Sequence, residues 1–156
     1  MTATDRLVLG TAQLGMPYGI ANKEGRPDPD RAEAIVRAAW EGGIRTFDTA
    51  QAYGRSEASL GRIFSAAGFG SAARIITKLN PNIDHKSRIV VEHALEGSLS
   101  RLGTERLHGL MLHKEALLDQ WDFGLGKTCR SFVRSGRVEH LGVSVYSPQR
   151  AIQALG

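Results

Sequence analysis

Four residues stand out by type and position: Asp48, Tyr53, Lys78 and His113. Asp48 ends the short apolar run Ile44-Arg45-Thr46-Phe47, Lys78 closes Arg74-Ile75-Ile76-Thr77, and His113 follows Leu110-Met111-Leu112. Tyr53 lies a few residues past Asp48, just ahead of a helix signal. Such a set can do acid chemistry on a carbonyl. A phenol is normally too weak an acid to give up its proton near neutrality. A nearby ammonium favours the phenolate and lowers that pKa. A carboxylate holds the ammonium charged and in place, and a neutral imidazole donates a hydrogen bond to a carbonyl oxygen. Together these groups would polarise a carbonyl and protonate the alkoxide formed on its reduction. Taken alone, Asp48 is as well read as a turn residue and Tyr53 as a cover for the core. A lysine or histidine directly after an apolar run is poorly explained by packing.

The elements that would carry these residues alternate. Leu7-Val8-Leu9 reads as a strand ending in Gly10-Thr11, followed by a Gly-rich loop. Asp28-Pro29 predicts an N-cap with proline at the first helical position. Ala32, Ile35, Val36, Ala39 and Trp40 form the apolar face of that helix, which Gly42-Gly43 ends. After the Thr46 strand, Ser56 is a candidate N-cap, with Glu57 in the first turn and Leu60, Ile63 and Phe64 at helical spacing. Gly68 to Ser71 break this helix, and Arg74 to Thr77 is the third strand. Asp84 is a candidate cap for a long helix with the face Ile89, Val90, Ala94, Leu95 and Leu99, ending at Gly103. Leu107 to Leu112 is the fourth strand, Gly124 to Val133 a weaker helix stopped by Gly136, and Val138 to Val145 the fifth strand. Ser147-Pro148 opens a last short helix. Strand and helix thus alternate five times, the pattern of an α/β fold with a parallel sheet and helices outside it. Asp48, Tyr53, Lys78 and His113 all fall at the carboxyl edge of that sheet, where α/β sites are built.

Composition narrows the partners. The 156 residues suffice for one domain with a core, and residues 1–156 read as a single domain. A hydrophobic share of 42% and a charged share of 23% are ordinary for a globular chain. The net charge of +4 is scattered among acids, so no nucleic-acid stripe is expected. No run is apolar enough to span a membrane, and the N-terminus lacks a signal-peptide core. The single cysteine, Cys129, allows no internal disulfide, which fits a reducing, cytoplasmic setting. Cys129 itself reads as a buried structural thiol.

The set Asp48, Tyr53, Lys78 and His113 resembles the tetrad of the aldo-keto reductase superfamily. The surrounding stretches agree: LGTAQLGMPYGIAN at 9–22, GIRTFDTAQAYG at 43–54, IITKL at 75–79, LHGLMLHK at 107–114 and GVSVYS at 142–147. The resemblance covers nearly the whole chain and is closest to a bacterial branch. It implies NADPH-dependent reduction of an aldehyde or ketone on a TIM-type (β/α)8 barrel. In that reading Tyr53 is the general acid, Lys78 tunes it, Asp48 pairs with Lys78, and His113 orients the substrate carbonyl. Gly10, Thr11, Asp48 and Ser144 match positions that approach the nicotinamide. Val145 stands where many members carry an asparagine that contacts the carboxamide. A complete barrel needs about 250 residues, so a partial barrel of about five βα units is expected here. The strands that hold the adenosine phosphate in this family would follow the fifth unit. Two readings result: a carbonyl reductase acting on a small molecule, or a catalytically silent half-barrel serving as a fragment or interaction module. In either case open sheet edges predict self-association or a complementing C-terminal fragment.

Three other patterns carry less. Gly68-Phe69-Gly70-Ser71-Ala72-Ala73 matches G-x-G-x-x-A but follows a helix and precedes a strand, the reverse of a dinucleotide fingerprint. Gly126-Lys127-Thr128 has the end of a phosphate loop, yet Trp121 stands where its first glycine belongs. His85, His93, His108 and His140 show no metal-ligand spacing and read as surface or loop residues, so no metal is expected.

Overall fold

The computed structural model describes residues 6–155. Five strands, β1 (Val8–Gly10), β2 (Thr46–Asp48), β3 (Arg74–Leu79), β4 (Leu107–Leu112) and β5 (Val138–Val143), form one sheet in sequential order. Every neighbouring pair is parallel, as the alternation of elements requires. The helices are α1 (Ala12–Gly15), α2 (Pro29–Glu41), α3 (Ser56–Ala67), α4 (Arg88–Leu102), α5 (Gly126–Arg134) and α6 (Pro148–Leu155). The architecture is the sequential βα winding of a TIM-type barrel, present here as five units.

The pleat divides the work of each strand. Phe47, Ile75, Leu79, Leu110 and Leu112 enter a core shared with Leu60, Ile63 and Phe64 of α3 and Val91, Leu95 and Leu102 of α4. Phe47 meets Phe64 edge-on, with ring centroids 4.9 Å apart. Burying one such aromatic stabilises the fold by about 2–3 kcal/mol. The alternate positions, Asp48, Ile76 and Lys78, lie on the other face, and they include the polar groups of interest. Register fixes their mutual placement: Gly10 is opposite Asp48, Asp48 opposite Ile76, and Lys78 opposite Met111.

Local signals explain most boundaries. Asp28 accepts a hydrogen bond from the Arg31 amide at 2.8 Å, and Pro29 takes the first position of α2. Gly68 and Gly103 close α3 and α4 in the left-handed region, with φ of 70° and 64°, a conformation that glycine adopts without strain. Some expectations fail for identifiable reasons. Ser56 is not the N-cap of α3 but its first residue, fully buried, with its hydroxyl turned into the loops. Asp84 caps no helix: it closes a turn onto the Lys86 amide, and α4 starts later, after Ser87. The buried stripe of α4 is Val91, Leu95, Ser98 and Leu102, while Ile89 is 64% exposed in the first turn. β3 continues through Lys78 to Leu79, and β5 stops at Val143 rather than Val145. The weaker helix begins only at Gly126, because Gly124, at a φ of 118°, breaks the chain before it.

Candidate active site

The three strand-end residues converge. The Lys78 ammonium donates to both carboxylate oxygens of Asp48 at 2.6 Å and to the Thr49 carbonyl at 3.1 Å. The pair is sheltered, with side-chain exposures of 8% for Lys78 and 28% for Asp48. Removing one partner of a sheltered pair leaves the other charge unpaired and costs up to about 3–5 kcal/mol. Lys78 Nζ also lies over the Tyr53 ring, 5.1 Å from its centroid. His113 meets the same ring edge-on at 5.5 Å between centroids. Asp48, Tyr53, Lys78 and His113 are therefore one cluster, contributed by three strand ends and the loop after β2.

The electrostatics depart from expectation at Tyr53. Its pKa is raised, not lowered: burial is the largest cause, followed by the Asp48 carboxylate, with the Tyr18 and Tyr146 phenols adding to it. The Lys78 ammonium, paired with Asp48 at 2.6 Å, does not reverse this direction. His113 moves the other way. Burial depresses its pKa, and Lys78 and Lys114 oppose a second positive charge, so the ring is neutral near pH 7. Its Nδ1 is buried with no hydrogen-bond partner.

The positions expected to approach a nicotinamide also lie on this edge. Gly10 ends β1 with no atom within 4 Å of where a Cβ would sit, leaving open space beside Asp48. Ser144 follows β5, its amide donating to the Leu112 carbonyl next to His113 at 2.9 Å. Thr11 differs. It is 1% exposed and its hydroxyl donates inward, to the Asp48 carbonyl at 2.8 Å. Thr11 thus holds Asp48 and presents no side chain to a ligand. Ser56 extends the same chain of hydroxyls, accepting from Thr49 at 2.9 Å and donating to the Thr11 carbonyl at 2.8 Å.

Residues 6–155 match the Aldo/keto reductase family. The chain belongs to this family. Its curated relatives include the 6-dehydroglucose reductase of Agrobacterium fabrum, 30% identical over 161 residues covering 93% of this chain and 53% of that protein. An aldo-keto reductase of Mycobacterium sp. (strain JLS) is 32% identical over 131 residues, covering 78% of this chain and 43% of its own. Among solved structures, PA4992 of Pseudomonas aeruginosa superposes with a TM-score of 0.81 at 27% identity, over 95% of this chain and 58% of that one. An aldo/keto reductase of Klebsiella pneumoniae, solved with NADP and acetate, has a TM-score of 0.71 over 94% of this chain and 48% of its own, and at 22% identity it speaks for the fold. The chain spans about half the length of the curated relatives it matches.

Several residues around this cluster escaped the sequence reading. Glu57 is 2% exposed and accepts from Thr77 and Arg101, and Gln51 ties the Tyr53 loop to β3 and α4. A signal existed: Glu57 shares a helical stripe with Leu60, Gly61 and Phe64, an acid on an apolar face. His85 lies in the loop before α4 and is buried, at 5% exposure. His108, Glu139 and His140 approach within 4.8 Å of one another across β4 and β5, a proximity their sequence spacing hides. Glu139 is already engaged there by His108 at 2.8 Å and Arg106 at 3.5 Å.

Proposed function

We propose that the cluster is the proton-donating half of a carbonyl reductase site, reducing an aldehyde or ketone to an alcohol with NADPH. The observation that carries this reading is a phenol ring set between the Asp48-paired Lys78, 5.1 Å from its centroid, and the His113 imidazole at 5.5 Å. Tyr53 is the general acid. A phenol with a raised pKa keeps its proton in the resting site and surrenders it only to a strong base, and an alkoxide is one. His113, neutral, donates a hydrogen bond to the substrate carbonyl from a ring nitrogen and so turns its oxygen toward Tyr53. Lys78, fixed by Asp48, supplies the local positive potential that favours negative charge building on that oxygen. The open space at Gly10, beside Asp48 and along the edge from Ser144, fits the flat nicotinamide end of the cofactor. Bound there, NADPH would supply the hydride.

A second reading is favoured by the sheet margins. Among the described residues β1 and β5 each have one unpaired edge. Leu7 and Val8 are 53% and 51% exposed. A groove of about 750 Å³ beside β5 is lined by Leu112, Trp121, Leu141, Val143 and Leu155. Such margins are surfaces that a further strand, a second copy or a complementing fragment would cover.

The test follows NADPH oxidation with small aldehydes, for wild type and Tyr53→Phe, alongside a fluorescence titration of NADPH. Loss of the proton donor should cost about 10²–10⁴-fold in turnover while NADPH affinity is kept. Near-normal turnover by Tyr53→Phe overturns the assignment. Self-association without any NADPH binding favours the second reading.

A further inference from the structure

Tyr53 lies farther past its strand than the other tetrad members, and its loop is held by a polar clasp that reaches α4. Glu57, four residues beyond Tyr53 in the first turn of α3, has a side chain only 3% exposed. Its carboxylate accepts from the Thr77 hydroxyl at 2.6 Å, and from Arg101 Nε at 2.8 Å and Nη2 at 2.7 Å. Thr77 is the residue before Lys78. On the other side of Tyr53, the Gln51 amide donates to the Lys78 carbonyl at 3.1 Å. The Gln51 side chain accepts from the Asn80 amide at 2.7 Å and donates to the Ala94 carbonyl at 2.8 Å and the Ser98 hydroxyl at 2.9 Å. Arg101 Nη2 reaches that same Ser98 hydroxyl at 3.5 Å. The clasp therefore binds the chain on both sides of Tyr53 to β3 on both sides of Lys78, and all of it to the last turns of α4.

The packing is shaped for this. α3 and α4 come so close that a Cβ on Gly61 would lie 2.2 Å from the Arg101 carbonyl oxygen. A Cβ on Gly97 would lie 2.9 Å from Arg101 Nη1. These two glycines let Arg101 reach a carboxylate buried under α3. A buried carboxylate without its cation is costly, so Arg101 both stabilises Glu57 and holds its direction through a two-pronged contact that lysine cannot reproduce.

From this geometry we infer that Glu57, Arg101 and Gln51 are positioning residues that set the Tyr53 phenol against Lys78, although none of them touches the reacting groups. This rests on the catalytic reading of Tyr53 given above. The phenol is surrounded by Asp48, Lys78, His113, Tyr18 and Tyr146, and a looser clasp would admit water among them.

The experiment compares Arg101→Met, Arg101→Lys and the double variant Glu57→Gln/Arg101→Met. The double variant removes the unpaired buried charge, so it recovers the melting temperature lost in Arg101→Met while leaving the Arg101 tie to Glu57 broken. The first readout is the Tyr53 phenolate absorbance on alkaline titration, obtained by subtracting the Tyr53→Phe spectrum, and it needs no turnover. The expected result is a midpoint displaced toward that of an exposed tyrosine in Arg101→Met and in the double variant, and a smaller displacement in Arg101→Lys. The second readout is turnover: kcat falls by about 10-fold or more with KM little changed, as for misplacement of a reacting group from a distance. A wild-type midpoint in Arg101→Met overturns the inference. So does a double variant whose midpoint and kcat recover together with its melting temperature, since the clasp would then be structural only. A displaced midpoint in a protein that reduces no aldehyde keeps the positioning role and rejects the catalytic reading.

Discussion

Gly15→Ala tests how the Tyr53 loop is seated. Gly15 lies in α1, buried, with dihedral angles that alanine adopts freely, so no backbone preference is at stake. The conflict is one of space. A Cβ there would sit 1.7 Å from the Tyr53 carbonyl oxygen, 2.4 Å from the Ser56 amide nitrogen and 2.8 Å from the Ser56 Cβ. Two of these three atoms are backbone, so no side-chain rotation relieves the contact. Restoring van der Waals separation means moving the two loops apart by about 1–2 Å. That movement breaks the hydrogen bond from the Arg55 amide to the Gly15 carbonyl, now 3.3 Å long, and pulls Ser56 away from Thr11. Overpacking costs about 1–3 kcal/mol and a lost buried hydrogen bond about 1 kcal/mol. For a chain of this size the sum lowers the melting temperature by roughly 5–15 °C. The control is Gly10→Ala on the same edge, where a Cβ meets nothing within 4 Å. Circular dichroism melts of wild type and both variants decide the matter. Equal melting of Gly15→Ala and wild type would refute the close approach of α1 to the Tyr53 loop.

Tyr53 should titrate above the ordinary tyrosine value of 10.0, because burial and the Asp48 carboxylate oppose its ionisation. The sign follows from linkage: a folded pKa above the unfolded one means this group's contribution to stability is complete below pH 10 and is lost as pH rises through the folded value; a difference spectrum with a midpoint below 10 contradicts it. Cys129, 1% exposed and with burial pushing its thiol up to about 12, should resist a thiol reagent at pH 8 in the folded protein and react fully once unfolded. Rapid labelling of the native chain would show that α5 does not seal it.

Much of the site was legible because strand ends are local features. An apolar run followed by a polar residue marks where a strand leaves the sheet, and the alternation of runs with helices makes the sheet parallel. Asp48, Lys78 and His113 then share an edge whatever the details of packing. The order β1 to β5 follows for the same reason, since each unit is wound onto its predecessor. What failed depended on contacts distant in sequence. Ser56 looks like a helix cap because serine before an apolar stripe usually is one, yet Thr11, 45 residues earlier, takes its hydroxyl. A lysine beside a phenol predicts a lowered pKa, whereas burial and the Asp48 carboxylate raise that of Tyr53.

The backbone shows why the site concentrates its supports where it does. Past each strand end the ladder continues by a few residues: the Thr11 amide donates to the Asp48 carbonyl, Thr49 to Ile76, Gln51 to Lys78 and Ser144 to Leu112, all between 2.8 and 3.1 Å. Asp48, Lys78 and His113 are therefore fixed by sheet register, which cannot slip by one residue without turning every side chain to the opposite face. Tyr53 has no such anchor. It sits beyond the last ladder bond, on a segment bounded by Gln51 before it and α3 after it. Its position must come from the side, and the close approach of Gly15, the hydroxyl chain through Ser56 and the carboxylate of Glu57 all converge on that segment. On the proposed role of Tyr53, a proton donor carried on a loop needs this density of ties, because an error of about 1 Å is enough to cost it most of its effect.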